Sequence, residues 1–380
     1  MRGTGPRRSR TQVREILILA GEASGDLHGA ALAEQLHALR ADLALAGTGG
    51  GRMRAAGVSL IEQLDGVNGF LALLRYVPAH IRLLRRLRKR LKLGNVALVV
   101  LIDYGFFNLR AGAAAKAAGV PVLFYITPQV WASRAGRMKT MARVITRAAV
   151  ILPFEESLLR ANGIDATFVG HPLLDRAVAL PDRAEARRRL GIPAGKEVLA
   201  LFPGSRAGEI RRLLDDFLAV ARELERRRPG LHVVVSVAPS VRLDRTRVPY
   251  QLVGSASLEV LRAADVALCK SGTSTLEAAV ADCPCAIVYR TGRVDYAIAK
   301  RVLKIPFIGL LNIVAGRGVA PEFVQDAFEP IRVADELGTL FDADSAQRRA
   351  MLTGLADVRA SLGTPGAAER VARIALELAR

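Results

Sequence analysis

One pattern recurs along the chain: a short apolar run, a glycine-bearing turn, then an Ala/Leu/Arg-rich stretch of helical length. Uninterrupted apolar runs suit strands covered on both faces, and their regular interleaving with helices predicts α/β architecture with parallel sheets. Strands are expected at 15–20, 43–47, 97–102, 122–126, 149–152, 167–169, 198–202, 232–237, 250–253, 266–269 and 286–289. Helices are expected at 28–40, 110–118, 210–228 and 274–281. In such sheets ligands gather beyond the carboxyl ends of the strands, which is where nearly all the glycine turns fall.

At 380 residues the chain suits two domains rather than one core. A polar, Pro-punctuated stretch near 176–196 marks the division. The expected layout is a basic tail at 1–13, a first Rossmann-like domain at 14–180, a second at 186–345, and C-terminal helices at 346–380 that pack back on the first. Cys269, Cys283 and Cys285 are too few for a disulfide framework, which favours a reducing, cytoplasmic setting. No apolar run is long enough to cross a bilayer, and the ILILA stretch is too short for a signal sequence.

Two turns carry the strongest chemical signal: LFPGSRAGEIRRL (201–213) and ADVALCKSGTSTLE (264–277). Each leaves an apolar strand and opens a helix, whose unpaired N–H groups and positive dipole end receive phosphate. Gly204 and Gly272 let the backbone approach a ligand, while Ser205, Ser271 and Thr273 line the turns. Arg206 adds a forked cation, and Glu277 stands where it can accept from ribose hydroxyls. The pair predicts a nucleoside diphosphate lying across strand ends.

The first half offers other candidates. ILILAGEASGDLHGA (16–30) is not a G-x-G-x-x-G turn, and no G-x4-G-K-[ST] run occurs. Asp26 is explained by a helix cap, whereas Glu22 and Ser24 point to a substrate-facing loop. Strand 97–102 delivers Asp103, with Asn108 shortly after; the carboxylate reads equally as a general base or as a cap. Trp131 among Arg134, Arg137 and Lys139 fits ring stacking or ordinary packing. His171 reads as a hydrogen-bonded structural residue before a cleft residue. The D-x-D pair Asp342 and Asp344 reads as a helix start, so no metal or other cofactor is expected.

The net charge of +19 calls for an anionic partner. With 5% aromatics and no recognised nucleic-acid motif, nucleic acid is disfavoured. Residues 66–92 join an apolar GFLALL patch to eight Lys/Arg between Arg75 and Lys92, with Leu83, Leu84, Leu87 and Leu91 at helical spacing. That combination fits the surface of an anionic bilayer, with Phe70, Leu71, Leu74, Arg85, Arg86 and Lys89 as contacts; the alternative is a core helix with a solvated basic face.

Taken in order, these turns resemble the lipid-A-disaccharide synthase family, glycosyltransferases of the two-Rossmann GT-B type. The carriers are AGEASGD (20–26), GTGGGRM (47–53), ID…FN (102–108), YITPQVWA (125–132), LPFE (152–155), GHPLLD (170–175), PGSR with Glu209, SGTSTLE (271–277) and LLNIVAGRGVAPEFVQ (310–325). The resemblance implies two domains facing a cleft and a metal-independent inverting transfer. In it, a 2,3-diacylglucosamine moves from UDP to the 6-hydroxyl of 2,3-diacylglucosamine 1-phosphate. It implies Asp103 as base, and Arg206, Glu277 and Asn312 at the UDP-sugar site, with Gly204, Ser205, Ser271, Gly272 and Thr273 shaping it. Glu22, Ser24, Asp26 and Asn108 would serve the acceptor side. It also implies peripheral association with the cytoplasmic face of the inner membrane and leaves a homodimer open. Three departures are visible: Asp103-Tyr104-Gly105-Phe106-Phe107-Asn108 where the family has D-x-P-G/D-F-N, Ser133 where a second Trp is usual, and Gly51 where a Pro is usual. Another UDP-sugar transferase using a lipid-linked acceptor, or a non-catalytic protein binding anionic membrane or nucleic acid, stays open at this level.

Overall fold

A computed structural model describes residues 14–63, 77–129, 136–239, 241–292, 296 and 306–380. Two compact units result: residues up to Val169 together with Gly366–Arg380, and Gly170–Pro365.

The first unit is built on β1 (Glu15–Ala20), β2 (Ala44–Gly49), β3 (Ser59–Gln63), β4 (Val96–Ile102), β5 (Val122–Tyr125), β6 (Arg147–Val150) and β7 (Ala166–Phe168). Their order is β3-β2-β1-β4-β5-β6-β7, and every pairing is parallel. Successive strand residues point to opposite faces, so the apolar runs of β1 and β4 feed two cores at once. Leu17, Leu19, Val99 and Leu101 meet Leu83, Leu87, Leu91, Phe107 and Met141 on one face. Ile16, Ile18, Leu98, Val100 and Ile102 meet Leu32, Leu36, Val371, Ala372 and Ala375 on the other.

The second unit holds β8 (Val198–Phe202), β9 (His232–Val237), β10 (Gln251–Gly254), β11 (Val266–Lys270), β12 (Cys285–Tyr289) and β13 (Glu322–Val324), all parallel, in the order β10-β9-β8-β11-β12-β13. The helix Ala207–Arg227 covers this sheet with Ile210, Leu213, Leu214, Phe217, Val220, Ala221 and Leu224, a helical-period stripe. Phe217 packs edge-on against Phe328 at 5.9 Å between ring centres.

Both sheets have the doubly wound order, in which direction reverses between two central strands. The switch points fall between β1 and β4 and between β8 and β11. The short edge strands β3 and β13 carry too few apolar residues to stand out in sequence.

The division differs from the expected one. It falls at Val169, not at 180, because His171 already belongs to the second unit, its amide donating to the Leu362 carbonyl. Of the C-terminal helices only Ala367–Leu378 returns to the first unit, burying Val371 and Ala375. The helix Ala346–Ser361 buries Met351, Leu355 and Val358 within the second unit.

Candidate active site

In the first unit the chemistry collects at the switch point. Helix Ala23–Leu39 begins immediately after β1, with half-buried Glu22 as its N-cap residue and exposed Ser24 in its first turn. AGEASGD is therefore mostly helix, a turn shorter than its glycines suggest. Asp26 is bound to the chain itself. Its carboxylate accepts from the amides of Gly50 (2.7 Å), Met53 (3.0 Å) and Arg52 (3.1 Å), bracing the GTGGGRM turn.

β4 ends at Ile102 and delivers Asp103, half-buried, with helix Gly105–Ala117 opening two residues later. Asp103 and Tyr104 both adopt left-handed backbone, with φ of 47° and 48°. Such geometry costs about 1–2 kcal/mol for each non-glycine residue, so other contacts must hold it. Asn108 supplies several: its Nδ2 donates to the carbonyls of Asp103 (2.8 Å), Ile102 (3.0 Å) and Leu19 (3.3 Å). At 1% exposure Asn108 is a strap that ties β1 to the Asp103 turn, a correction to its expected place as a ligand contact. Tyr104 lies beneath Gly21, where a Cβ would come within 2.4 Å of its ring, so that turn residue must lack a side chain.

In the second unit the two glycine turns stand side by side beyond β8 and β11, which are hydrogen-bonded neighbours. Gly204 has φ 129°, and a Cβ there would strike Glu209 Oε2 at 2.7 Å, so only glycine fits. Glu209 then accepts from the amides of Ser205 (3.0 Å) and Arg206 (3.3 Å). Its other oxygen takes Lys270 Nζ at 2.9 Å. Lys270, the last residue of β11, therefore pins one turn to the other. Burial pushes Glu209 up, but the Lys270 hydrogen bond and charge, with the Ser205 amide, outweigh it and hold the carboxyl below its usual range. Arg206 is exposed at the start of helix Ala207–Arg227.

Beyond β11, Ser271 Oγ donates to the Ile308 carbonyl (2.8 Å), and Gly272 precedes helix Thr273–Val280 with Thr273 exposed. Glu277 is buried and takes Arg176 (3.1 Å) and Ser257 (3.0 Å), both on Oε1. Asn312 needs correction. Its Nδ2 donates to Ala320 O and Glu322 Oε1, and its Oδ1 accepts from the amides of Val319 and Ala320, all at 2.8–3.0 Å. An amide has two donors and two lone pairs, so none remains for a ligand. Asn312 and Glu322, which also takes the amides of Ile308 and Gly309, shape the loop that Ser271 holds.

Other expectations resolve locally. His171 accepts the Leu173 amide on Nδ1, a structural role. Asp342 Oδ1 accepts from the Asp344 amide and Ser345 caps the next helix, which accounts for the D-x-D. The three cysteines are buried; the Cys285 hydrogen bond and then burial raise the Cys269 thiol, and burial raises Cys283, so Cys269 and Cys283 sit as inert thiols. Sequence reasoning missed Lys270, Tyr104 and Arg176. The only signal for Lys270 was a cation ending an otherwise apolar strand.

The membrane-contact reading is narrowed. In helix Val77–Lys92 the leucines 83, 87 and 91 face the core, so that stripe is unavailable to a bilayer. The exposed face carries Arg85 and Lys89, with Arg86 paired to Glu62 at 2.7 Å. Ile81 (46% exposed) and Leu93 (67%) are its accessible apolar groups. Phe70, Leu71, Leu74 and Trp131 lie outside the described residues.

A model of the lipid-A-disaccharide synthetase family matches residues 16–363. The chain belongs to that family. It is 41% identical over 378 residues to a lipid-A-disaccharide synthase of Myxococcus xanthus, covering 97% of this chain and 98% of the relative. A synthase of that name from Anaeromyxobacter dehalogenans is also 41% identical, over 96% and 98%. Membership makes the chain a glycosyltransferase of lipid A biosynthesis. Among solved structures it resembles the kitacinnamycin glycosyltransferase (TM-score 0.65, 16% identity, 96% and 98% covered) and a Neisseria meningitidis UDP-GlcNAc 2-epimerase (0.62, 12%, 96% and 100%). Those likenesses speak to fold: two Rossmann-like units, as in GT-B enzymes.

Proposed function

We propose that the chain condenses UDP-2,3-diacylglucosamine with 2,3-diacylglucosamine 1-phosphate, with inversion, giving the disaccharide 1-phosphate and UDP. The supporting observation is the pair of turns beyond β8 and β11, pinned by Lys270–Glu209 at 2.9 Å with exposed Arg206 beside them. In this reading the diphosphate lies on the amides opening helices Ala207–Arg227 and Thr273–Val280. Arg206 and Lys270 oppose the charge that UDP gains as the anomeric C–O bond breaks. A preorganised donor of this kind contributes about 3–4 kcal/mol at the transition state. Glu277 accepts from the ribose and Asp103 takes the proton of the attacking 6-hydroxyl. Glu22 and Ser24 flank the acceptor at the same switch point.

The basic face of helix Val77–Lys92, with Ile81 and Leu93, rests on an anionic membrane surface in this reading. No helix among the described residues is long and apolar enough to cross a membrane. In this reading the contact is peripheral, on the cytoplasmic face of the inner membrane. The test is mass spectrometry of products from synthetic donor and acceptor. A tetraacyl disaccharide 1-phosphate with stoichiometric UDP is expected. Transfer from UDP-N-acetylglucosamine instead, or no transfer, would overturn the assignment.

A further inference from the structure

We infer that Tyr104 is a positioning residue for Asp103, acting through the hydrogen bond between its hydroxyl and His80. The inference rests on Asp103 being the base.

The Asp103 turn is held from two sides. On the sheet side, Asn108 binds its carbonyl and the Asp103 amide donates to the carbonyls of Tyr125 and Ile126. Those bonds fix the backbone of Asp103, and the Tyr104 carbonyl takes the Asn108 amide at 3.2 Å as the helix opens; the rest of the hold on left-handed Tyr104 (φ 48°) comes from its side chain. Its hydroxyl lies 2.7 Å from His80 Nε2, and its ring sits 5.7 Å from the His80 ring and 6.3 Å from Phe107. His80 and Phe107 are themselves 5.3 Å apart, closing a three-ring cluster. The other side of the Tyr104 ring meets Gly21, next to Glu22. One side chain thus touches the glycine turn after β1 and locks the turn after β4. Burial, then the Glu22 charge, keep the phenol above its usual range, so it stays protonated at neutral pH.

His80 lies in the first turn of helix Val77–Lys92, whose leucines 83, 87 and 91 are bedded in the core. The hydroxyl therefore bonds to a fixed point. Without that bond the ring can rock on Gly21, and the two left-handed residues can relax toward ordinary backbone. A base must stay within about 3 Å of the proton it takes, and displacement by about 1 Å costs on the order of 100-fold.

The test compares Tyr104→Phe, His80→Ala, His80→Gln and the Phe/Ala double variant in steady-state kinetics with both substrates, alongside thermal melting. Phe keeps the ring packing, so the fold is expected to melt as wild type. Tyr104→Phe and His80→Ala should each lower kcat by about 10- to 100-fold with KM for both substrates within twofold. The double variant should lose no more than either single one, because both remove one bond. His80→Gln, whose amide can still meet the hydroxyl, should recover most of the rate. Wild-type kcat in Tyr104→Phe, multiplying losses in the double variant, or a change confined to KM would overturn the inference. Asp103→Asn is run in parallel: if it keeps wild-type turnover, the base assignment itself is wrong.

Discussion

Asn108 and Asn312 were both candidate ligand contacts; both are 1% exposed, with the Asn108 Nδ2 engaged by backbone carbonyls and the Asn312 amide by backbone and Glu322. A polar side chain near a strand end can serve a substrate or the loop that meets it, and composition cannot separate the two. The structure separates them by counting donors and acceptors. Replacing Asn108 with Ala removes the donor group that three carbonyls share, and urea unfolding should show a loss of about 1–3 kcal/mol. Asn108→Asp should be worse at neutral pH, because a carboxylate would face those carbonyl oxygens. Asp103→Asn should abolish turnover while calorimetry finds UDP affinity within twofold of wild type, since the proposed UDP contacts all belong to the second unit.

At the scale of elements, the helix Ala207–Arg227 is tied to β11 by Glu209 and Lys270. Glu209 titrates below its ordinary 4.5 in the folded protein. A carboxyl depressed by folding contributes stability that is whole above its unfolded pKa and is lost as pH falls through the folded one. The second unit should therefore weaken below about pH 4.5. Lys270→Met should flatten that acid limb in pH-dependent melting and weaken UDP binding at pH 7. Helix Val77–Lys92 makes a separate prediction. Each cation at an anionic surface contributes about 1 kcal/mol, so Arg85→Gln with Lys89→Gln should weaken vesicle binding by about 30-fold. Partitioning that does not change with these substitutions or with salt would leave the basic face as solvated surface only.

For the whole molecule, the first unit joins residues from both sides of the second in sequence, the described residues up to Val169 and Gly366–Arg380. Residues 366–380 supply Val371, Ala372 and Ala375 to the face that holds Leu32, Leu36 and Ile18. Removing them uncovers that core, at about 1.5–3 kcal/mol for each large apolar side chain exposed. A chain ending at 365 should show a lowered melting transition for the first unit, while UDP binding by the second is retained. Equal loss in both transitions would show that the two units unfold together.

Strand periodicity, glycine turns and their order in the chain were enough to specify two Rossmann-like units and the lipid-A-disaccharide synthase family. Those signals are local: an apolar run, a turn and a helix start are written in consecutive residues. Which candidate side chains are taken up by the chain's own hydrogen bonds was decided only in three dimensions. The partners of Asp26 lie 24–27 residues away, those of Lys270 and Glu209 lie 61 apart, and Tyr104 meets His80 across 24. Hydrogen-bond capacity is taken up by neighbours that only folding brings near, so the family resemblance placed Asp26, Asn108 and Asn312 among ligand contacts while pattern passed over Tyr104 and Lys270.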